Sequence, residues 1–360
     1  MLVQSGLVGQ GIWYRQTCYS YPAGGGGSAC SGHCLRVKAK AKPSKAFPPW
    51  SCTMSQSTPF EAFERHTVSV ESEALGPLSI SVRKAGSNDG KPVLLLHGYP
   101  QSSYLWNKVA PELSTRYTII APDLRGYGLS SKPPGSGSHV EYSKREMAKD
   151  MVLVMKHFGF DRFDLVAHDR GARVAHRLVL DHPGIVDNLM VLDITPTLDM
   201  YEKTNMTFAA GYWHWFFLIQ AAPEPENVIN ADPSAFWKLL TRKASHANMA
   251  WSENDLDEYQ RYFFQPETVH ATCEDYRAAA TIDLVHDRQD REQGNKVSVQ
   301  KLRVLWGSKG MIEVMGNALE TWKAYSADSV EVSGRSLDCG HYIPEEQPQA
   351  LLEEIFAFLG

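Results

Sequence analysis

The sequence predicts an α/β protein, with a mostly parallel, doubly wound sheet and a helical lid inserted between two of its strands. Three observations carry that reading. Continuous apolar runs at Pro92–Leu96, Tyr117–Ala121, Phe163–Ala167, Leu189–Leu192 and Leu302–Trp306 suit strands buried on both faces of a parallel sheet. Helix patterns separate most of them, and right-handed crossovers would lay such strands side by side in one direction. From about Thr197 to Val297 the pattern changes to helical, aromatic-rich segments without a clear strand. A chain of 360 residues can bury the core of one large domain with such an insertion, or of two modest domains.

In chain order, residues 1–59 form a basic, low-complexity extension that is expected to be disordered. No Asp or Glu precedes Glu61, whereas Arg15, Arg36, Lys38, Lys40, Lys42 and Lys45 make the segment cationic. This composition fits an organelle transit peptide, and fits equally an upstream extension of the reading frame before Met54. Metal binding by Cys30, His33 and Cys34 is the weaker alternative. Outside the extension only Cys273 and Cys339 remain, too few for a disulfide framework. A reducing compartment, the cytoplasm, is therefore expected, with organellar import if the extension is a genuine transit peptide.

The core is expected to span residues 60–196 and 298–360, and the lid 197–297. Alternating stretches at His66–Glu71 and Leu78–Lys84 read as half-buried strands joined through Gly76-Pro77. A helix follows the first apolar run over Ser103–Leu113. Ser143 opens a longer one, with Met147, Met151, Val154 and Phe158 on one face. Strand character returns after the lid at Leu302–Trp306 and Ser329–Val332, and Pro348–Leu359 closes the chain as a helix.

The stretch Leu165 to Arg173 ends an apolar run in small–x–Asp–x–small–small, before a helix-competent segment from Val174 to Leu180. That is the pattern of a nucleophile elbow, a sharp strand-to-helix turn that exposes one side chain. Here that residue is Asp169, and a carboxylate can attack carbon to form an ester that water later cleaves. Asp193 and His341 follow in the order acid, then histidine, each after a strand. His341 is the candidate base for water, and Asp193 would hold its other ring N–H. Alone, Asp193 could also be a turn or helix-cap residue; Glu313 is the backup acid. Backbone N–H groups of Tyr99 and Arg170 are candidates for an oxyanion site. Arg170 and Arg173 place two guanidiniums beside the nucleophile. A substrate carboxylate would use both, although either could instead be an ion-pairing side chain of the helix.

The run His168-Asp169-Arg170-Gly171-Ala172-Arg173 resembles the signature of fluoroacetate (haloacetate) dehalogenases of the α/β-hydrolase superfamily. So do His97-Gly98-Tyr99-Pro100-Gln101, Leu192-Asp193-Ile194, Tyr212-Trp213-His214-Trp215, Cys273-Glu274-Asp275-Tyr276-Arg277-Ala278 and Gly340-His341-Tyr342-Ile343-Pro344-Glu345-Glu346. The resemblance covers about residues 60–360. It implies an α/β-hydrolase fold in which Asp169 displaces halide, His341 activates water, Asp193 supports it, and Arg170 and Arg173 grip the substrate carboxylate. It further implies that His214, Trp215 and Tyr276 bind the departing halide. Imidazole, indole and phenol donors without a competing negative charge suit that task. Taken without the resemblance, the aromatic stretch around His214 also reads as a lid helix packing on the core.

The expected reaction is hydrolytic dehalogenation of short 2-haloacids, with no cofactor and no metal. The alternative is an epoxide hydrolase using the same three residues with two lid tyrosines, drawn from Tyr212, Tyr259, Tyr262 and Tyr276. A non-catalytic binding protein of the same fold would have no need of the intact set. A net charge of -5 argues against nucleic acid as the main partner. No apolar run reaches transmembrane length, so a small-molecule substrate is the expected partner, and a homodimer is compatible with this reading.

Overall fold

Each of the five apolar runs lies within a strand, and the polar chemistry collects where those strands stop. The computed structural model describes residues 58–72, 75–244 and 251–360. The extension up to residue 57, with Cys30, His33 and Cys34, lies outside the described residues. The strands are β1 (Glu64–Ser72), β2 (Gly76–Ala85), β3 (Lys91–Leu96), β4 (Tyr117–Pro122), β5 (Phe163–His168), β6 (Val186–Leu192), β7 (Lys301–Gly307) and β8 (Glu331–Leu337). They make one sheet in the order β1-β2-β4-β3-β5-β6-β7-β8. β2 runs antiparallel to β1 and β4, and every other neighbouring pair is parallel.

Burial explains the sequence patterns. β4 and β5 are buried at every position, as parallel strands covered on both faces must be. β1 instead alternates, with Val68 and Val70 facing Ile80 and Leu78 of β2 on the inner side. Leu94, Leu95, Leu96, Val166 and Val191 are fully buried, each stabilising the sheet by about 1.5–3 kcal/mol relative to exposure.

Two expectations need correction. The helix expected over Ser103–Leu113 is a 3-10 turn, Ser103–Trp106, and a separate short helix, Ala110–Leu113. Pro111 suits the first turn of a helix but not its interior, so the second piece starts afresh there. The last strand runs Glu331–Leu337 rather than Ser329–Val332. It is an edge strand of mostly polar, half-exposed residues, so no apolar run marks it.

The chain passes from β3 to β4 on one side and then to β5 on the other, leaving a crevice at the carboxyl ends of β3 and β5. Between β6 and β7 the described residues form helices, from Thr197–Glu202 to Ile282–Gln293. Pro266–Ala280 is the longest and carries Cys273 through Ala278. No described helix is long and apolar enough to cross a membrane.

Candidate active site

β5 ends at His168 and the helix Asp169–Asp181 begins at the next residue, so the chain must reverse within one peptide. Asp169 makes that reversal with φ +45°, a left-handed conformation that costs most residues about 1–2 kcal/mol. Small neighbours make room for it. A Cβ on Gly171 would sit 2.4 Å from the His97 carbonyl oxygen, and one on Gly98 would sit 2.5 Å from the Asp169 Cβ.

The three residues expected to carry chemistry meet here. The His341 ring is hydrogen-bonded through Nδ1 to Asp193 Oδ2 at 2.6 Å. Its Nε2 stands 3.8 Å from Asp169 Oδ2, beyond direct hydrogen-bonding distance. Asp193, also left-handed at φ +54°, follows β6 and accepts the Gly307 N–H at 2.9 Å on its other oxygen. The Tyr99 N–H donates to Asp169 Oδ1 at 2.9 Å. Arg170 is the second residue of its helix, where a backbone N–H has no partner within the helix. Glu313, the backup acid, instead accepts a hydrogen bond from the Trp306 indole, and it is Asp193 that holds the His341 ring.

The electrostatics favour an ionised carboxylate next to a basic imidazole. Burial would raise the Asp169 carboxyl, but His341, His168, Arg173 and Arg170 outweigh it and hold it down at about 2. Burial opposes charging His341, yet the Asp193 hydrogen bond and the charges of Asp193 and Asp169 raise its pKa above the ordinary value. His168, outside the expected set, is pushed down to about 3 by burial and by His341. Its neutral ring donates from Nε2 to the His341 carbonyl at 2.8 Å, tying the elbow to the histidine loop. His97 likewise braces the loop after β3, accepting the Leu124 N–H on Nε2 at 2.9 Å.

The two arginines are placed differently. Asp275 on the helix Pro266–Ala280 takes Arg170 Nε at 3.1 Å and Nη2 at 2.6 Å, and its carbonyl takes Nη2 again at 2.7 Å. Arg173 Nη1 donates to the Thr195 carbonyl at 3.1 Å and to the Thr197 hydroxyl at 2.9 Å. One buried donor on each side chain, Arg170 Nη1 and Arg173 Nε, has no hydrogen-bond partner among the described residues. Sequence reasoning missed Asp275 as the Arg170 partner. Its only signal was a carboxylate directly before Tyr276.

Aromatic residues of the helical segment close over these groups. The Arg170 guanidinium lies 4.2 Å from the centre of the Tyr276 ring, and that of Arg173 lies 4.6 Å from the Trp215 ring. The Tyr276 ring stands 5.9 Å from His214 and 6.1 Å from Trp215. Burial pushes His214 down to about 3, so its ring is neutral, and raises Tyr276 well above its ordinary value, so its hydroxyl keeps its proton. A cavity of about 30 Å³ between Tyr212, Trp213, His214, Met311 and His341 adjoins them. A larger hollow of about 230 Å³, between His176, Asp287 and Tyr325, holds none of these groups. Of the other tyrosines in the helical segment, Tyr259 is committed to Glu345 through its hydroxyl.

Such an arrangement can attack carbon through Asp169 Oδ2 and hydrolyse the resulting ester with water taken up at His341. Comparison with known proteins identifies the fold family. Residues 91–348 match the alpha/beta hydrolase fold family. The chain is 41% identical over 303 residues to a fluoroacetate dehalogenase of Burkholderia sp., covering 84% of this chain and 95% of that one. It is 32% identical over 279 residues to a soluble epoxide hydrolase of Corynebacterium sp. strain C12, covering 77% and 92%. The crystal structure of ALR0039 from Nostoc sp. PCC 7120 superposes with a TM-score of 0.78 at 48% identity, covering 83% of this chain and 99% of that one. The protein belongs to the alpha/beta hydrolase fold family.

Proposed function

We propose that this hydrolase cleaves the carbon–halogen bond of short 2-haloacids. Asp169 Oδ2 attacks the halogen-bearing carbon, an ester forms, and halide leaves with the bonding electron pair. Water then gives a proton to His341 and adds to the ester carbon of Asp169. The ester C–O bond breaks at that carbon, releasing a 2-hydroxy acid and restoring the carboxylate. Asp193 stabilises the imidazolium that forms. The Tyr99 and Arg170 N–H groups receive the oxyanion that develops on Asp169 Oδ1. His214, Trp215 and Tyr276 supply N–H and O–H donors to the departing halide.

The observation that carries this reading is the pair of unmatched guanidinium donors, Arg170 Nη1 and Arg173 Nε, buried beside the nucleophile. Two buried cations next to each other repel, and burial together with Arg170 lowers the Arg173 pKa. A substrate carboxylate would relieve both the repulsion and the missing hydrogen bonds. The similarity to a fluoroacetate dehalogenase supports the same reading.

One observation favours a second reading, epoxide hydrolysis. Burial keeps both the Tyr212 and Tyr276 hydroxyls protonated, and either could protonate an epoxide oxygen. A halide-release assay with fluoroacetate and chloroacetate, run beside an epoxide panel, separates the two. Halide release supports the first reading; diol formation without halide release replaces it with the second.

A further inference from the structure

We propose that Lys144 and Asp275 act as positioning residues for Arg170, directing one guanidinium N–H at the substrate and keeping the site attractive to an anion. The inference rests on the carboxylate clamp proposed above. Asp275 binds Arg170 side-on, through Nε and Nη2, so Nη1 alone is left for another partner. Tyr127 donates to Asp275 Oδ2 at 2.6 Å and fixes the tilt of that carboxylate. Tyr276, the next residue of the same helix, covers the guanidinium face. One dipeptide thus grips both the edge and the face of Arg170.

A carboxylate that orients an arginine this closely also offsets its charge, which would weaken it as an anion receptor. Lys144 answers that problem. At the start of the helix Lys144–His157, it places its ammonium on Asp275 Oδ1, with its side chain 4% exposed and that of Asp275 fully buried. The other acid near it is Asp283, whose Oδ2 is 3.8 Å from the ammonium and whose Oδ1 accepts the Lys144 backbone N–H at 2.8 Å. Lys144 brings a second positive charge to Asp275, so the charge of Arg170 is not used up by the carboxylate that orients it. Without it Asp275 would face Arg170 alone, one residue from the nucleophile, and would cancel the charge that attracts an incoming carboxylate. At these buried positions such a charge is weakly screened.

The test is ligand binding to the full-length protein in an Asp169→Asn background, which cannot form the ester. Fluoroacetate and its neutral analogue fluoroacetamide are titrated by calorimetry. Lys144→Met is expected to weaken fluoroacetate about tenfold, in line with loss of one charge-assisted interaction, and to leave fluoroacetamide unchanged. Lys144→Arg should restore fluoroacetate binding. Methionine matches the shape of the lysine stem, and Asp275 keeps Arg170 and Tyr127 as partners, so folding should survive; thermal melting checks this. Equal weakening of both ligands, or no weakening of fluoroacetate, overturns the inference. Arg170→Leu serves as the reference. If it loses fluoroacetate while Lys144→Met does not, the clamp stands and the inference fails. If Arg170→Leu also binds normally, the clamp itself is wrong.

Discussion

The strand ends and the helical segment contribute to the same site by different physical means. At the strand ends, Asp169, Asp193 and Tyr99 are set by the backbone: left-handed turns, glycine contacts under 3 Å from an added Cβ, and N–H bonds near 2.9 Å. In the helical segment, Asp275, Tyr276 and Trp215 are set by charge and ring contact, through one buried ion network and two stacked guanidiniums. The first mode fixes atoms closely and leaves little freedom to change. The second acts through side chains of the helices between β6 and β7 rather than through the sheet backbone. On the proposed reading, the strand ends set the reaction type, while the helical segment positions and covers the arginines that would hold the substrate.

The largest effect should come from the strand ends. Asp169→Ala removes the attacking oxygen, and halide release is expected to fall by about four orders of magnitude or more. Residual release above one per cent would refute a covalent ester. Asp193→Asn should cost roughly a thousandfold or more, because the ring of His341 loses the acceptor that fixes its tautomer. The same variant changes the pH profile. His341 must be neutral to accept a proton from water, and its pKa is raised mainly by Asp193 against burial. Wild-type activity should therefore decline as pH falls through a pKa raised from the ordinary histidine value. In Asp193→Asn that acidic limb should move to lower pH. A limb that stays in place would remove His341 from the rate-limiting step.

How legible each part is in the sequence follows from the same contrast. The elbow could be read because its chemistry is local: small residues, aspartate and strand end are consecutive from Ala167 to Ala172. Asp193 and His341 could be read because each follows a strand in a fixed order. The Lys144–Asp275–Arg170 network left no such trace. Lys144 and Asp275 are 131 residues apart, and an ion pair across that distance needs no local pattern. The edge strand β8 was misplaced for a related reason, since one-sided exposure removes the apolar run that marked its neighbours. Arg170 shows both cases: its position beside the nucleophile was visible, and its carboxylate partner was not.

Changes in the helical segment should be smaller and should depend on the substrate. Trp215→Phe removes one candidate halide donor while keeping a ring beneath Arg173. Loss of a single preorganised donor should lower fluoride release by about a hundredfold. Chloride release should suffer less, because chloride leaves with weaker demand for hydrogen bonds. Equal losses for both halides would take Trp215 out of the halide site and leave it as packing for Arg173.

The smallest effect is expected at Glu313, and it sharpens the contrast from the opposite side. This residue lies after β7, where a supporting acid could have been, yet its carboxylate is exposed and bonded to the Trp306 indole. Asp193 already occupies the His341 ring nitrogen and is itself held by the Gly307 N–H from the end of β7. Glu313→Gln keeps an acceptor for the indole and removes only a solvated charge. Turnover of chloroacetate should stay within about twofold of wild type, and stability should change by less than about 0.5 kcal/mol. A loss approaching that of Asp193→Asn would mean that the two acids exchange roles during turnover. Strand-end geometry would then be less fixed than its backbone contacts imply.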